Sequence, residues 1–103
     1  MELSWSKSDK AIARRAYDQA LKNANEEILT HHRNHPVTSI DDIWKLEGQI
    51  REWRKDLGSI FIYSYSKLIF IFCISIRRGW LDLESLSGLS EPIYERIRGI
   101  VQS

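Results

Sequence analysis

The chain is short of most features that would mark an enzyme, a secreted protein or a nucleic-acid binder. Its one cysteine, Cys73, cannot form an intramolecular disulfide. It sits in an apolar run, where a buried, inert thiol in a reducing compartment is expected. There is no basic excess: fifteen Lys and Arg stand against fourteen Asp and Glu, a formal net charge of +1. General nucleic-acid binding needs a stronger footprint than that. No glycine-rich phosphate loop is present, and MELSWSKSDKA lacks the apolar core of a signal peptide, so no secretion address is read and a cytoplasmic location is expected. The two prolines, Pro36 and Pro92, fall where they punctuate rather than break a helix. At 103 residues the chain is expected to form one domain over 1–103, large enough to fold without disulfides or a structural metal.

No catalytic set can be assembled from what remains. His31, His32 and His35 cluster, and His31 with His35 has the spacing that lets two imidazoles reach one metal, but no neighbouring cysteine or carboxylate completes a tetrahedral site. Cys73 has no activating histidine beside it in sequence. Neither a metal nor a cofactor is expected, and a binding role is favoured over an enzymatic one.

What the chain has is helix. From Ser6 to about Arg33 it is rich in Ala, Lys, Arg, Glu and Gln, with no Gly or Pro, which predicts one long helix. Ala13, Tyr17, Ala20, Ala24 and Ile28 form a small-residue face over which a second helix could approach closely, giving a paired-helix stalk. Asn34 and Pro36 end that helix. Thr38 or Ser39 is positioned to cap the next, with Asp41 and Asp42 placing negative charge in its first turn.

In the second helix Ile43, Leu46, Ile50, Trp53 and Leu57 recur at alternating three- and four-residue spacing. Such a narrow apolar seam wants a partner helix, and a second copy of the chain is the expected one. Trp44 lies one residue off the seam near Glu47, Arg51 and Arg54; ten residues being close to three turns, Arg54 is placed on the same side. Aromatic and guanidinium groups together make the composition enriched at interaction hot spots, although Glu47 and Arg51 also read as an ordinary surface pair. In the last helix, Glu91 to about Val101, Arg96 and Arg98 flank Ile93, Ile97 and Ile100.

Gly58 is expected to interrupt the second helix, and the segment Ser59 to Ile76 leaves three readings open. Its β-branched and aromatic residues read locally as strand. Its length, with Leu68, Phe72, Ser75 and Ile76 at helical spacing, suits a buried helix. A membrane anchor over Leu68 to Trp80 is the third, although Ser64, Ser66, Lys67 and Ser75 interrupt a run at the lower limit for spanning a bilayer. Beyond it, Gly79 closes the segment, Asp82 caps a short turn to Leu86, Gly88 ends that turn, and Ser90 with Pro92 starts the final helix.

Many of these residues recur in one order: Ile40, Asp41, Asp42, Trp44 and Leu46; Arg54; Tyr63, Tyr65 and Ser66; Phe70 and Phe72; Gly79, Leu86 and Leu89. With them the chain resembles the fluorescence recovery protein family of cyanobacteria, from about Ser39 to Val101 and more loosely through SWSKSDKAIARRAYDQA. The resemblance implies an all-α fold: a long antiparallel helix pair forming a homodimeric stalk, with a small C-terminal helical head, and Ser59 to Ile76 as helix. It implies a non-enzymatic regulator whose client is the activated orange carotenoid protein, acting in the cytoplasm or at the cytoplasmic face of thylakoid membranes to end phycobilisome quenching. Trp44 and Arg54 match family positions tied to activity and the dimer surface, and Phe70 and Arg96 match an aromatic and a basic position on the head. The chain departs from the family pattern at Glu47, Gly48 and Gln49, where a second carboxylate is missing, and at Ile62 and Ser64, which replace a charged pair. A divergent homologue, or a dimeric helical adaptor with a different client, is therefore expected.

Overall fold

The computed structural model describes residues 3–103, and among them every regular element is helical. Helix α1 runs Lys7–Asn34, α2 Ile40–Ile60, α3 Leu68–Arg77 and α4 Glu91–Val101, with one 3-10 turn at Leu83–Leu86. The start of α1 is a capping box: the Ser6 hydroxyl accepts from the Asp9 backbone N–H at 3.0 Å, while the Asp9 carboxylate accepts from the Ser6 N–H at 3.0 Å. Ser39, rather than Thr38, caps α2 by accepting from the Asp42 N–H at 3.1 Å. Thr38 contributes differently, donating from its backbone and hydroxyl to Asp42.

The alanine face of α1 is buried as expected, but its main occupant is the head rather than the second long helix. Ala13, Ala16, Ala20 and Ala24 are buried, and α3 and the 3-10 turn pack against α1, while Ala24 borders a groove with Gln49, Trp53 and Leu57 of α2. Small side chains let backbones come together, and just after the 3-10 turn a Cβ at Gly88 would fall 2.9 Å from the Ile12 Cδ1 of α1. Helix α4 closes the head by packing Ile93 and Ile97 against α3, whose Leu68, Ile71 and Phe72 are fully buried. Among the described residues no helix is long and apolar enough to cross a membrane, and α3 is spent inside this core.

Helix α2 leans on α1 more loosely. The His31 ring meets Trp53 edge-on at 5.4 Å, and Ile28 shares grooves with Trp53 and Leu57. As numbers fall along α1 the facing numbers rise along α2, so the pair is antiparallel. An exposed ion pair, Asp56 with Arg78 at 2.7 Å, ties the end of α2 to the end of α3. Such a pair contributes little by itself.

The segment read as a single helix from Ser59 to Ile76 is divided. Helix α2 passes through Gly58 and ends at buried Ile60, where Phe61 (φ −88°, ψ 73°) forms an inverse γ-turn closed by the Ile62 N–H on the Ile60 carbonyl at 3.0 Å. Residues 61–67 are not helical. They run out along α1 so that Phe61 and Tyr63 both sit edge-on to Tyr17, at 5.5 and 4.9 Å, and Tyr65 reaches Trp5 at 5.9 Å. A period of two, not of 3.6, delivers alternate aromatic rings to one neighbour. That is why the local strand-like composition was partly informative although no strand forms among the described residues. Helix α3 ends in a Schellman motif: Gly79 has φ 80°, its N–H reaches the Ile76 carbonyl, and the Trp80 N–H reaches that of Ser75.

Asp9 then joins the two ends of the chain. Its carboxylate also accepts from the Ser90 N–H at 2.7 Å and the Ser90 hydroxyl at 2.5 Å, clamping the first turn of α1 to the cap of α4. Burial alone would raise its pKa, but the hydrogen bonds from Ser90 and Ser6 win and hold it at about 2. The sign follows: stability from this group is complete above the ordinary carboxylate value of about 3.9 and is lost as pH falls towards the folded value.

Two substitutions test this arrangement. Asp9→Asn places donors opposite donors and is expected to cost about 2 kcal/mol in urea unfolding at neutral pH, with the gap to the parent protein shrinking as the pH approaches that of the folded-state titration; a gap independent of pH would contradict the clamp. Trp53→Ala removes the main α1–α2 contact and is expected to cost about 2 kcal/mol, whereas Trp44→Ala is expected to change stability by less than about 0.5 kcal/mol. Equal losses in thermal melts of the two variants would contradict the packing described.

Candidate functional site

The apolar seam of α2 divides between two tasks. Trp53 and Leu57 are half-buried and turn towards α1, while Leu46 is half-buried nearer the start of the helix. Ile43 and Ile50 remain 47% and 43% exposed, and Ile40 at the helix start is 63% exposed. These side chains are only partly covered by the described residues. An apolar row left open on an otherwise charged helix is the kind of patch that marks an interaction surface.

Trp44 stands in the open beside this row, 64% exposed. Arg51 lies almost directly above it on the helix and is paired with Glu47, both exposed. Arg54 is elsewhere than expected: ten residues fall about 80° short of three full turns and carry it about 15 Å along the axis. It lines a groove of about 430 Å³ with Ile50, Trp53 and Leu57 of α2 and Leu21 and Ile28 of α1. Trp44 is therefore not in contact with the Arg54 groove; the two bracket the exposed isoleucines from different sides. The start of this helix is firmly set, since hydrogen bonds from the Thr38 backbone, the Thr38 hydroxyl and Ser39 lower the Asp42 pKa.

The other two candidates meet on the head. Phe70 is 57% exposed, and with Arg96 it lines a groove of about 540 Å³ that α3, α4 and the N-terminal segment share. Sequence reasoning did not foresee the rest of this groove. Trp5 and Tyr65 wall it, and Arg77 stands at the end of α3. The only signal would have been the helical spacing of Ile69, Phe70, Cys73, Ile74 and Arg77, which share one face of α3. Cys73 borders the groove but is 5% exposed, and burial pushes its thiol pKa up, against the nearby Arg77. That is the opposite of an activated nucleophile.

Several residues of the recurring pattern prove to be structural. Phe72, Leu86 and Leu89 are core, and Gly79 supplies the positive φ of the helix stop. Of the departures, Ile62 is 45% exposed on the extended segment, and Ser64 bonds with Ser66 at 2.9 Å instead of carrying charge. His31 and His35 stack at 4.2 Å, with the His35 Nδ1 2.9 Å from the His31 carbonyl oxygen. Among the described residues no group of three or more His, Cys, Asp or Glu is placed to hold a metal.

Comparison with known proteins agrees with this geometry. The family of the photoprotection regulator fluorescence recovery protein matches residues 5–100. The fluorescence recovery protein of Synechocystis sp. is 24% identical over 105 aligned residues, covering 98% of this chain and 94% of that protein. The solved structure of the Fremyella diplosiphon fluorescence recovery protein superposes with a TM-score of 0.87 at 26% identity, over 97% of this chain and 100% of the other. The Synechocystis structure superposes with a TM-score of 0.85 at 22% identity, with the same coverage of each chain, and shares the fold. With four helices in the same arrangement and a match over nearly its whole length, the chain belongs to the photoprotection regulator fluorescence recovery protein family.

Proposed function

We propose that this chain is a non-enzymatic, homodimeric regulator that binds the light-activated orange carotenoid protein and speeds its return to the resting form. Quenching of the phycobilisome antenna then ends. Family membership over residues 5–100 carries the reading, and the partly uncovered row on α2 supports it. In this account Ile43, Leu46 and Ile50 join two copies, with the remaining surface of Trp53 and Leu57 facing the same seam. Trp44, Glu47, Arg51 and Arg54 border that seam, and Phe70 with Arg96 offers the head to the client. The work takes place in the cytoplasm or at the cytoplasmic face of the thylakoid. A partner of this kind acts by binding the intermediate of domain reclosure more tightly than the open state, so the barrier falls without any bond being made or broken.

The departures at Gly48, Ile62 and Ser64 favour a second reading, a helical adaptor of the same fold with a different protein client. Ile62 is the specific observation, since it presents an apolar side chain to solvent where the family pattern has charge. Dark recovery of photoactivated orange carotenoid protein separates the two. The first reading expects acceleration by the added dimer, reduced severalfold in Trp44→Ala and Arg54→Glu at unchanged melting temperature. An unchanged recovery rate at excess dimer would remove it and leave the adaptor.

A further inference from the structure

The head groove holds two guanidiniums that no carboxylate of the described chain neutralises. Among the described residues, Arg14, Arg51, Arg78 and Arg98 are each paired with an acidic side chain; Arg77 and Arg96 are not, nor are Arg15, Arg33 and Arg54, but Arg77 and Arg96 are the two that line one groove together. Arg77 is nevertheless held in place, because its Nη2 donates to the Ile100 carbonyl at 2.8 Å. This bond uses one of the five N–H donors of the side chain and leaves the others free in a fixed fork. An arginine already oriented loses less freedom on meeting a ligand than one waving in water. Phe70 is exposed and lines the same groove as the two cations, Trp5 and Tyr65. Two positive groups on the rim of one groove, beside an exposed aromatic ring, favour an anionic ligand over a cationic one.

Resting on the reading in which this chain grips a protein client, we propose that Arg77 is a further partner-reading residue. Together with Arg96 it receives neighbouring carboxylates of an acidic client segment whose apolar side chain seats on Phe70. Charge complementarity selects this occupant: an apolar floor alone would accept any greasy segment, but two unneutralised guanidiniums favour acidic ones and reject basic ones. Bidentate arginine recognition of a carboxylate also adds orientation, which a lysine cannot reproduce.

The test uses the intact chain and short blocked peptides, so it does not depend on the identity of the client. One peptide carries a phenylalanine flanked by paired aspartates, and its control carries lysines in their place. In isothermal titration the acidic peptide is expected to bind at least about tenfold more tightly than the control, as charge-assisted hydrogen bonds allow. Arg77→Glu should abolish that preference and Arg77→Lys retain part of it, with melting temperature and light-scattering mass unchanged. Equal or absent binding of the two peptides, or a preference that survives Arg77→Glu, would overturn the proposal. A change of mass in Arg77→Glu would overturn it too, by showing that the groove is a contact between copies. Acid preference together with failed recovery of the orange carotenoid protein would leave the groove standing and remove only the named client.

Discussion

The alanines of α1 decide how this small protein is divided. Because Ala13, Ala16 and Ala20 present almost no side chain, α3 and the 3-10 turn can pack closely on α1, and α4 then closes over α3. The first half of the longest helix is thereby consumed by the head. What is left for α2 is the far half, where Leu21, Ile28 and His31 share grooves with Ile50, Trp53 and Leu57. A helix of 21 residues held mainly near its C-terminal half leaves Ile40 and Ile43 of its other half largely exposed. Burying them against another molecule recovers hydrophobic free energy that the fold alone cannot, at about 25 cal/mol per Å².

The polar interactions serve that division. Asp9 is at the start of the chain and Ser90 near its end, yet their hydrogen bonds, together with the capping box, fix the first turn of α1 and the cap of α4 in one network. The Trp80 indole N–H donates to Glu27, and the Asn23 amide donates to the Trp80 carbonyl at 2.7 Å, so the turn after α3 is bound to α1 as well. Arg14 lies over Tyr63 at 4.7 Å and Tyr17 at 5.6 Å, holding the extended aromatic segment against α1. Among the described buried polar groups of the head Asp9 is fully partnered and Ser75 Oγ is not, so it is the Asp9 network that ties the two ends of the chain together. A head so tied, on an arm left partly uncovered, suits a protein whose task is to bind another and shift its conformational equilibrium.

Much of this was legible in the chain. Ser6 and Pro36 bound the first helix, Ser39 the start of the second, Gly79 the end of the third and Pro92 the start of the fourth, because caps and backbone restrictions act locally. The failures involve distant partners. Gly58 did not stop α2, since the roughly 1 kcal/mol cost of an interior glycine is small beside burial of Ile60 two residues later. Nothing near Phe61 and Tyr63 in sequence announces that Tyr17 will receive both, so an extended stretch was read as helix. Nothing in the local sequence marks Asp9 as buried, because its partner Ser90 lies far along the chain. On the surface, the seam and Trp44 were visible from periodicity, but Arg54 was displaced by a fraction of a turn. The Arg77 groove needed three elements brought together.

Hydrogen exchange followed as a function of protein concentration addresses the division between head and arm most directly. Amides of α2 around Ile43 to Ile50 should gain protection as concentration rises and the apolar row is covered, while those of α3 and the buried part of α1 should stay equally protected throughout. Protection of α2 that is already complete at high dilution, or that rises uniformly over the whole chain, would contradict an arm left open for a partner.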